Sequence, residues 1–211
     1  MTAQYETMFA VPPLGIFKYQ GDIEAVVDYA SQIAYKDTGF NQQSENSCVL
    51  HDEQLKDLKE FCLQSVHQYQ LDILHTDQSL DIQQSWINFC PSGGKHPSHY
   101  HANSFLSGVL FLNSAQENNS PLCFQSPVAK NNYSIEVHPN KYDLTNLHVP
   151  SSIDVYSHQS EPRTLLIFSS LIDHFVPTNQ SNINRISLAF NTFPTLPFGD
   201  KTRLTSVDAS T

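Results

Sequence analysis

Apolar residues along the chain change their spacing near Ser85. Before that point they recur every three or four positions. Over residues 22–35, Ile23, Val26, Val27, Ala30, Ile33 and Ala34 fall on one face of a helix. Over residues 53–74, Leu55, Leu58, Phe61, Cys62, Val66, Tyr69 and Leu74 do the same, with Asp52 placed to cap the start. Ahead of both, residues 9–18 carry Pro12 and Pro13 and read as an extended lead-in or strand. The polar stretch 37–47 between the helices reads as a loop.

After Ser85 the runs are short and apolar or alternating, at 86–89, 105–112, 122–124, 153–156, 164–168 and 186–190. Pro, Gly, Asn and Ser clusters at 91–94 and 117–121 separate some of them. Short strands between turn signals predict an antiparallel sandwich or barrel. The polar stretch 129–150 has weak periodicity and is expected to pass over the mouth of that barrel, where binding residues often lie. There is no internal repeat and no interdomain linker. The fold expected is mainly β with an N-terminal helical layer, an α+β chain. It forms one domain, with lead-in and helices over 1–84, the β-core over 85–192 and a tail over 193–211.

Composition narrows the function. The chain has 211 residues, with 11 Lys+Arg against 21 Asp+Glu and a net charge of −10. That length can bury a sizeable core. So acidic a balance argues against a nucleic-acid partner, because neutralising phosphates takes clustered cations. No apolar run approaches the roughly 20 residues that span a bilayer. The N-terminus lacks a basic segment followed by an apolar one, which points to the cytoplasm. Cys48, Cys62, Cys90 and Cys123 contain no C-x-x-C pair and read as buried free thiols. The N-x-S matches at Asn118, Asn132 and Asn179 are those expected by chance in a chain rich in Asn and Ser.

The 10 histidines are the unusual count. His51, His67 and His75 lie on or beside the second helical segment, and His138, His148 and His158 stand singly in polar sequence. All six read as ordinary surface or partly buried residues. His96, His99 and His101 cluster just before an apolar strand. On a strand, i and i+2 share a face, so His99 and His101 would project together. Two converging imidazoles repel once protonated, and a shared metal binds both neutral rings instead. A third ligand has to come from a distant strand, and His174, at the edge of the segment 169–177, is the candidate. His96 is a reserve ligand.

Eleven residues after His174, Arg185 opens a cleanly alternating strand. Ile186, Leu188 and Phe190 face one way, and Arg185, Ser187 and Asn191 the other. An inward-facing arginine calls for an anion, and Ser187 can donate to the same carboxylate that Arg185 grips. An arginine at a sheet edge, paired with one of the many acidic side chains, is the alternative.

These words together resemble the iron(II)/2-oxoglutarate oxygenases common in marine bacteria and their phages. The matching segments are Trp86-Ile-Asn88 and His99-Tyr-His-Ala-Asn-Ser-Phe-Leu-Ser-Gly-Val-Leu-Phe-Leu112, then Leu122-Cys-Phe-Gln-Ser-Pro127 and Leu165-Leu-Ile-Phe168. His174-Phe-Val-Pro-Thr-Asn179 and Arg185-Ile-Ser-Leu-Ala-Phe-Asn191 complete the set, in order, over residues 85–192. The resemblance implies a double-stranded β-helix, a jelly-roll barrel with the metal at its open mouth. It implies His99, His101 and His174 as iron(II) ligands, Arg185 with Ser187 as the clamp for 2-oxoglutarate, and O₂ as the oxidant. Asn88, Asn103 and Asn191 would be polar accessories of the pocket. One departure stands out. The wider superfamily has His-x-Asp/Glu at the first motif, giving two histidines and one carboxylate, whereas this chain has His101.

The expected reaction is hydroxylation of a peptide side chain or a small metabolite, with release of succinate and CO₂. Exposed edge strands and the helical layer permit a homodimer. Two alternatives remain: a three-histidine cupin-type thiol dioxygenase that does not use 2-oxoglutarate, and a non-enzymatic jelly-roll binding or structural protein. The Arg-x-Ser word favours the 2-oxo acid over the former.

Overall fold

A computed structural model of the chain describes residues 13–113, 120–125, 155–159 and 161–208. The excursion expected over 129–150 lies outside these. The first helix, α1 (Ile23–Gln32), begins where Asp22 accepts the Ala25 backbone N–H at 3.0 Å, and it buries Ile23, Val26 and Ala30. It stops short of the predicted end because Ile33 turns extended.

The second helix, α2 (Lys56–Tyr69), differs more from expectation. Two 3-10 turns, Val49–His51 and Glu53–Leu55, precede it, and a π-helical turn, Gln70–Leu74, ends it. Asp52 does not cap it. Its carboxylate instead accepts the Tyr29 hydroxyl at 2.5 Å, tying α1 to the entrance of α2.

Eleven strands follow the chain order β1 (Gly15–Lys18), β2 (Tyr35–Asp37), β3 (Gln42–Ser44), β4 (Leu80–Cys90), β5 (His96–His99) and β6 (Leu106–Phe111). The remainder are β7 (Leu122–Gln125), β8 (Val155–His158), β9 (Thr164–Ser169), β10 (His174–Val176) and β11 (Arg185–Pro194). They form a seven-stranded sheet, β1-β9-β6-β11-β4-β3-β2, and a four-stranded sheet, β5-β10-β7-β8. All named strand pairs are antiparallel. The hairpin β2–β3 occupies the stretch predicted as a loop. Its strands are polar and carry no apolar alternation, so their pairing rests on the turn between them. There Gly39 has φ +82° and the Thr38 hydroxyl donates to the Asn41 side chain at 2.6 Å.

Alternation on β11 splits its side chains between two cores. Leu188 and Phe190 pack with Leu110, Leu165 and Ile167 in one cluster, to which the helices add Val26, Ala30, Leu58, Cys62 and Val66. Ala189 faces the other way, into a cluster of Val109, Phe111, Leu166 and Phe168 from the large sheet and Leu122, Phe124 and Val176 from the small one. Burying a side chain such as Leu188 or Phe190 contributes about 1.5–3 kcal/mol. The contact is close: Gly108 lies opposite Phe190 on β6, and a Cβ there would fall 2.2 Å from the Phe190 ring. No helix among the described residues is long and apolar enough to cross a membrane.

Candidate functional site

A pocket opens between the two sheets, on the Ala189 side of β11. Its wall includes Trp86 and Asn88 from β4, His96 and His99 from β5, His174 and Val176 from β10, and Arg185 and Ser187 from β11, with His101 beside them. Residues more than 80 positions apart meet here because β11 lies between β4 and β6 while β10 lies between β5 and β7.

His99 and His174 are brought together by strand register, as direct partners across the β5–β10 pair. Their ring centroids are 4.3 Å apart, and His101, in the segment after β5, adds a third ring at 5.0 Å from His99 and 5.2 Å from His174. One ring nitrogen from each lies within 4.8 Å of the others.

Two of the three tautomers are fixed by the backbone. Nδ1 of His99 lies 2.8 Å from the Pro97 carbonyl, and Nδ1 of His174 lies 2.9 Å from the Ile172 carbonyl. A carbonyl oxygen only accepts, so both Nδ1 atoms carry the proton and both Nε2 lone pairs are left for a ligand. Burial, with neighbouring imidazoles adding to it, lowers the pKa of His101 to about 4 and that of His174 to about 3. Phe168 packs edge-on against His174 with centroids 4.9 Å apart, keeping that ring dry and oriented. Three crowded imidazoles, two of them held neutral by burial, fit a divalent metal ion.

Deeper in the same pocket, Arg185 is 3% exposed and Ser187 1%. The guanidinium donates from Nε to the Ser120 carbonyl at 3.0 Å and from one terminal nitrogen to Ser187 Oγ at 3.1 Å. It also lies 5.2 Å from the Phe111 ring centroid. Burial pushes its pKa down to about 10, which still leaves a cation at neutral pH. A fixed cation with an adjacent hydroxyl, in the same pocket as three metal-ready nitrogens, fits a ligand with a carboxylate at one end and a chelating group at the other.

The other predicted residues divide. Asn88 lines the pocket directly across from Ser187. Asn191 does not join the pocket wall. Its carboxamide oxygen accepts the Ser107 hydroxyl at 2.8 Å, and Ser107 Oγ lies 2.8 Å from Ser170 Oγ. The Ser170 carbonyl accepts the His101 backbone N–H at 2.8 Å, so Asn191 belongs to the network that holds the His101 segment. Asn103 is exposed in a turn, with φ +60°. His96 lines the pocket, its ring 4.2 Å from His99, but lies outside the group of three nitrogens. Its pKa falls to about 4 through burial, then through His99, His101 and Arg185. His51, His67 and His75 are exposed, His158 is in β8, and His138 and His148 lie outside the described residues. All four cysteines are free thiols, three of them buried.

Comparison with known proteins agrees with this geometry. The sequence model of a family described as "Putative 2OG-Fe(II) oxygenase" matches residues 84–191. No curated protein sequence matches the chain. Among solved structures, the chain is similar to HygX from Streptomyces hygroscopicus, crystallised with nickel, 2-oxoglutarate and hygromycin B. That similarity has a TM-score of 0.61 at 10% identity, over 88% of this chain and 84% of that one. A prolyl-4-hydroxylase from Pseudomonas putida gives 0.59 at 11% identity, over 87% and 94%. The epimerase SnoN, solved with Fe3+, alpha ketoglutarate and nogalamycin RO, gives 0.61 at 8% identity, over 95% and 87%. At such identities the structural likeness is one of fold, the double-stranded β-helix of these oxygenases.

Proposed function

The chain belongs to this 2OG-Fe(II) oxygenase family, and from that membership we propose that it is a dioxygenase that hydroxylates an organic substrate. Iron(II) and 2-oxoglutarate are its metal and cosubstrate, as the family name states. When bound, iron(II) supplies the redox chemistry by which one oxygen atom of O₂ enters a substrate C–H bond as hydroxyl and the other enters succinate, with CO₂ released. The observation that carries the reading is the sharing of one pocket by three imidazole nitrogens within 4.8 Å of one another and the buried Arg185–Ser187 pair.

The chain's own residues have separate tasks in this reading. His99, His101 and His174 would hold the metal through one imidazole nitrogen each. Arg185 and Ser187 hold the distal carboxylate of 2-oxoglutarate and so orient its chelating end, while Asn88 borders the bound chain. Val109, Leu122 and Phe168 give the pocket an apolar wall that restricts water. The helices share one buried cluster with the large sheet, and the large sheet shares the other with the small sheet, which supports a single folded unit.

The substrate is an organic molecule with an accessible C–H bond at the mouth. The relatives themselves range from a hydroxylase to an epimerase, and their named ligands include hygromycin B and nogalamycin RO. Anaerobic titration with iron(II) and 2-oxoglutarate tests the reading. A visible charge-transfer band is expected in the wild type and not in His174→Ala or Arg185→Ala. Succinate formation under air without added substrate is the second readout. No band in the wild type would overturn the proposal. Oxygen uptake with a thiol, independent of 2-oxoglutarate, would favour the three-histidine thiol dioxygenase that the ligand set also accommodates.

A further inference from the structure

The pocket wall carries a buried donor, the indole N–H of Trp86. Nε1 of Trp86 has no hydrogen-bond partner among the described residues, although it is shielded from solvent. A buried N–H left in that state destabilises a fold, so such groups are few and mark places where something is missing.

Three relationships locate what is missing. Trp86 is on the pocket wall, and its ring meets His101 edge-on with centroids 5.7 Å apart, which puts the indole beside the three-histidine group. Along the β4–β11 pair, Trp86 stands opposite Ala189, Asn88 opposite Ser187 and Cys90 opposite Arg185. The Arg185 guanidinium reaches back to Ser187. Its level is therefore two residues from that of Trp86, or about 6.6 Å on the rise of a strand, the length scale of a short dicarboxylate. A ligand with one end on the guanidinium has its other end beside Trp86.

We propose that Trp86 is a cosubstrate-binding residue, whose indole N–H donates a hydrogen bond to the metal-chelating carboxylate of 2-oxoglutarate. The proposal rests on the reading of the pocket given above and adds a residue at the end opposite Arg185. The carboxylate satisfies the orphan donor, and the donor fixes which carboxylate oxygen faces the metal. Asn88, one step along the same strand face and opposite Ser187, then lies at the guanidinium end, beside the distal carboxylate.

Trp86 is the chain's single tryptophan, so its indole N–H gives one nitrogen-15 correlation peak that needs no assignment. In protein loaded with diamagnetic Zn(II), adding 2-oxoglutarate should move the indole proton downfield as the hydrogen bond forms. Calorimetry on Zn(II)-loaded Trp86→Phe should show Zn(II) affinity equal to wild type and 2-oxoglutarate affinity at least tenfold weaker. The ligand-free variant should keep a cooperative thermal transition, although losing the pyrrole half of the indole costs packing. A merely structural role for the indole would leave the 2-oxoglutarate affinity of the folded variant unchanged.

An indole peak that stays in place while 2-oxoglutarate binds overturns the proposal alone, as does unchanged affinity in Trp86→Phe. Loss of Zn(II) binding in Trp86→Phe also overturns it, because the indole would then serve the metal ligands instead. Failure of the Zn(II)-loaded wild type to bind 2-oxoglutarate at all overturns this proposal together with the reading beneath it.

Discussion

His99 and His174 are direct partners across the β5–β10 pair, and each turns its Nδ1 proton onto the carbonyl two residues before it. The same local device, used twice from strands that are remote in sequence, presents two Nε2 lone pairs to one point. Backbone carbonyls do this without any added side chain, so the orientation depends on strand register and not on a further polar residue. His101 enters from outside β5 and has no such anchor among the described residues; it is held by its backbone N–H on Ser170 and by the edge of Trp86.

A divalent metal should therefore stabilise the folded chain strongly. At a metal concentration of 100 times Kd the gain is about 2.7 kcal/mol, which for a chain of this size raises Tm by about 5–11 °C. Differential scanning fluorimetry with Fe(II) or Co(II), reversed by a chelator, measures it. His174→Ala should lose the metal-dependent increment while keeping a cooperative transition. An equal increment in His174→Ala would show that the metal binds elsewhere.

In chelator-treated protein the same histidines should make stability depend on pH. Burial lowers the folded-state pKa of His96 and His101 to about 4 and of His174 to about 3, from the ordinary 6.5 of an exposed histidine. Between pH 6.5 and about 4 the unfolded chain therefore binds more protons than the folded one. Stability falls as pH drops through that window and is fully present above it. The Tm of the metal-free protein should decline from pH 7 to pH 4.5, and His174→Gln should flatten part of the decline. A flat profile in the wild type would mean that the rings are solvated.

Much of this pocket was legible in the sequence because β11 alternates cleanly and is buried on both faces: Arg185 and Ser187 go to one side, Leu188 and Phe190 to the other. The H-x-H spacing was equally readable, although His101 reaches the group from beyond the strand and not from within it. What escaped were features set by distant partners. Asn191 shares a face with Arg185, but Ser107 on the neighbouring strand takes its carboxamide before it can reach the pocket. Asp52 looks like a helix cap until Tyr29 arrives from α1. The polar β2–β3 hairpin has no periodicity to reveal it. Trp86 carried a readable signal, since it alternates with Asn88 on one strand face, but only the folded chain shows its indole N–H without an acceptor among the described residues.

Arg185 and Ser187 should separate in their effects on 2-oxoglutarate. Ser187→Ala removes one neutral partner and should weaken binding about tenfold, with metal affinity unchanged. Arg185→Lys keeps a charge but loses the planar fork and the Ser120 and Ser187 hydrogen bonds. Its affinity should fall by at least about thirtyfold, in line with the 2–5 kcal/mol typical of truncating one partner of a buried charge pair. Calorimetry with Zn(II)-loaded protein gives both numbers. Equal small losses in the two variants would place the distal carboxylate away from the guanidinium.

His101 invites the substitution that would restore a carboxylate to the metal. Three neutral imidazoles leave a divalent ion with its full double charge, whereas His101→Asp would leave it one unit less positive. Asp at this position should still bind metal, because a carboxylate is a competent oxygen ligand for iron(II) or manganese(II). His101→Ala, with only two protein ligands, should bind it at least tenfold more weakly than wild type. The anionic cosubstrate should respond in the other direction: a less positive centre attracts a dianion less, and in a partly buried pocket that Coulomb difference is poorly screened. His101→Asp should thus retain metal while binding 2-oxoglutarate more weakly than wild type, with the gap widening at low salt. Calorimetric titrations of metal and then of 2-oxoglutarate, at two ionic strengths, measure both affinities. Tighter 2-oxoglutarate binding in His101→Asp would show that ligand geometry at this position outweighs the charge of the site.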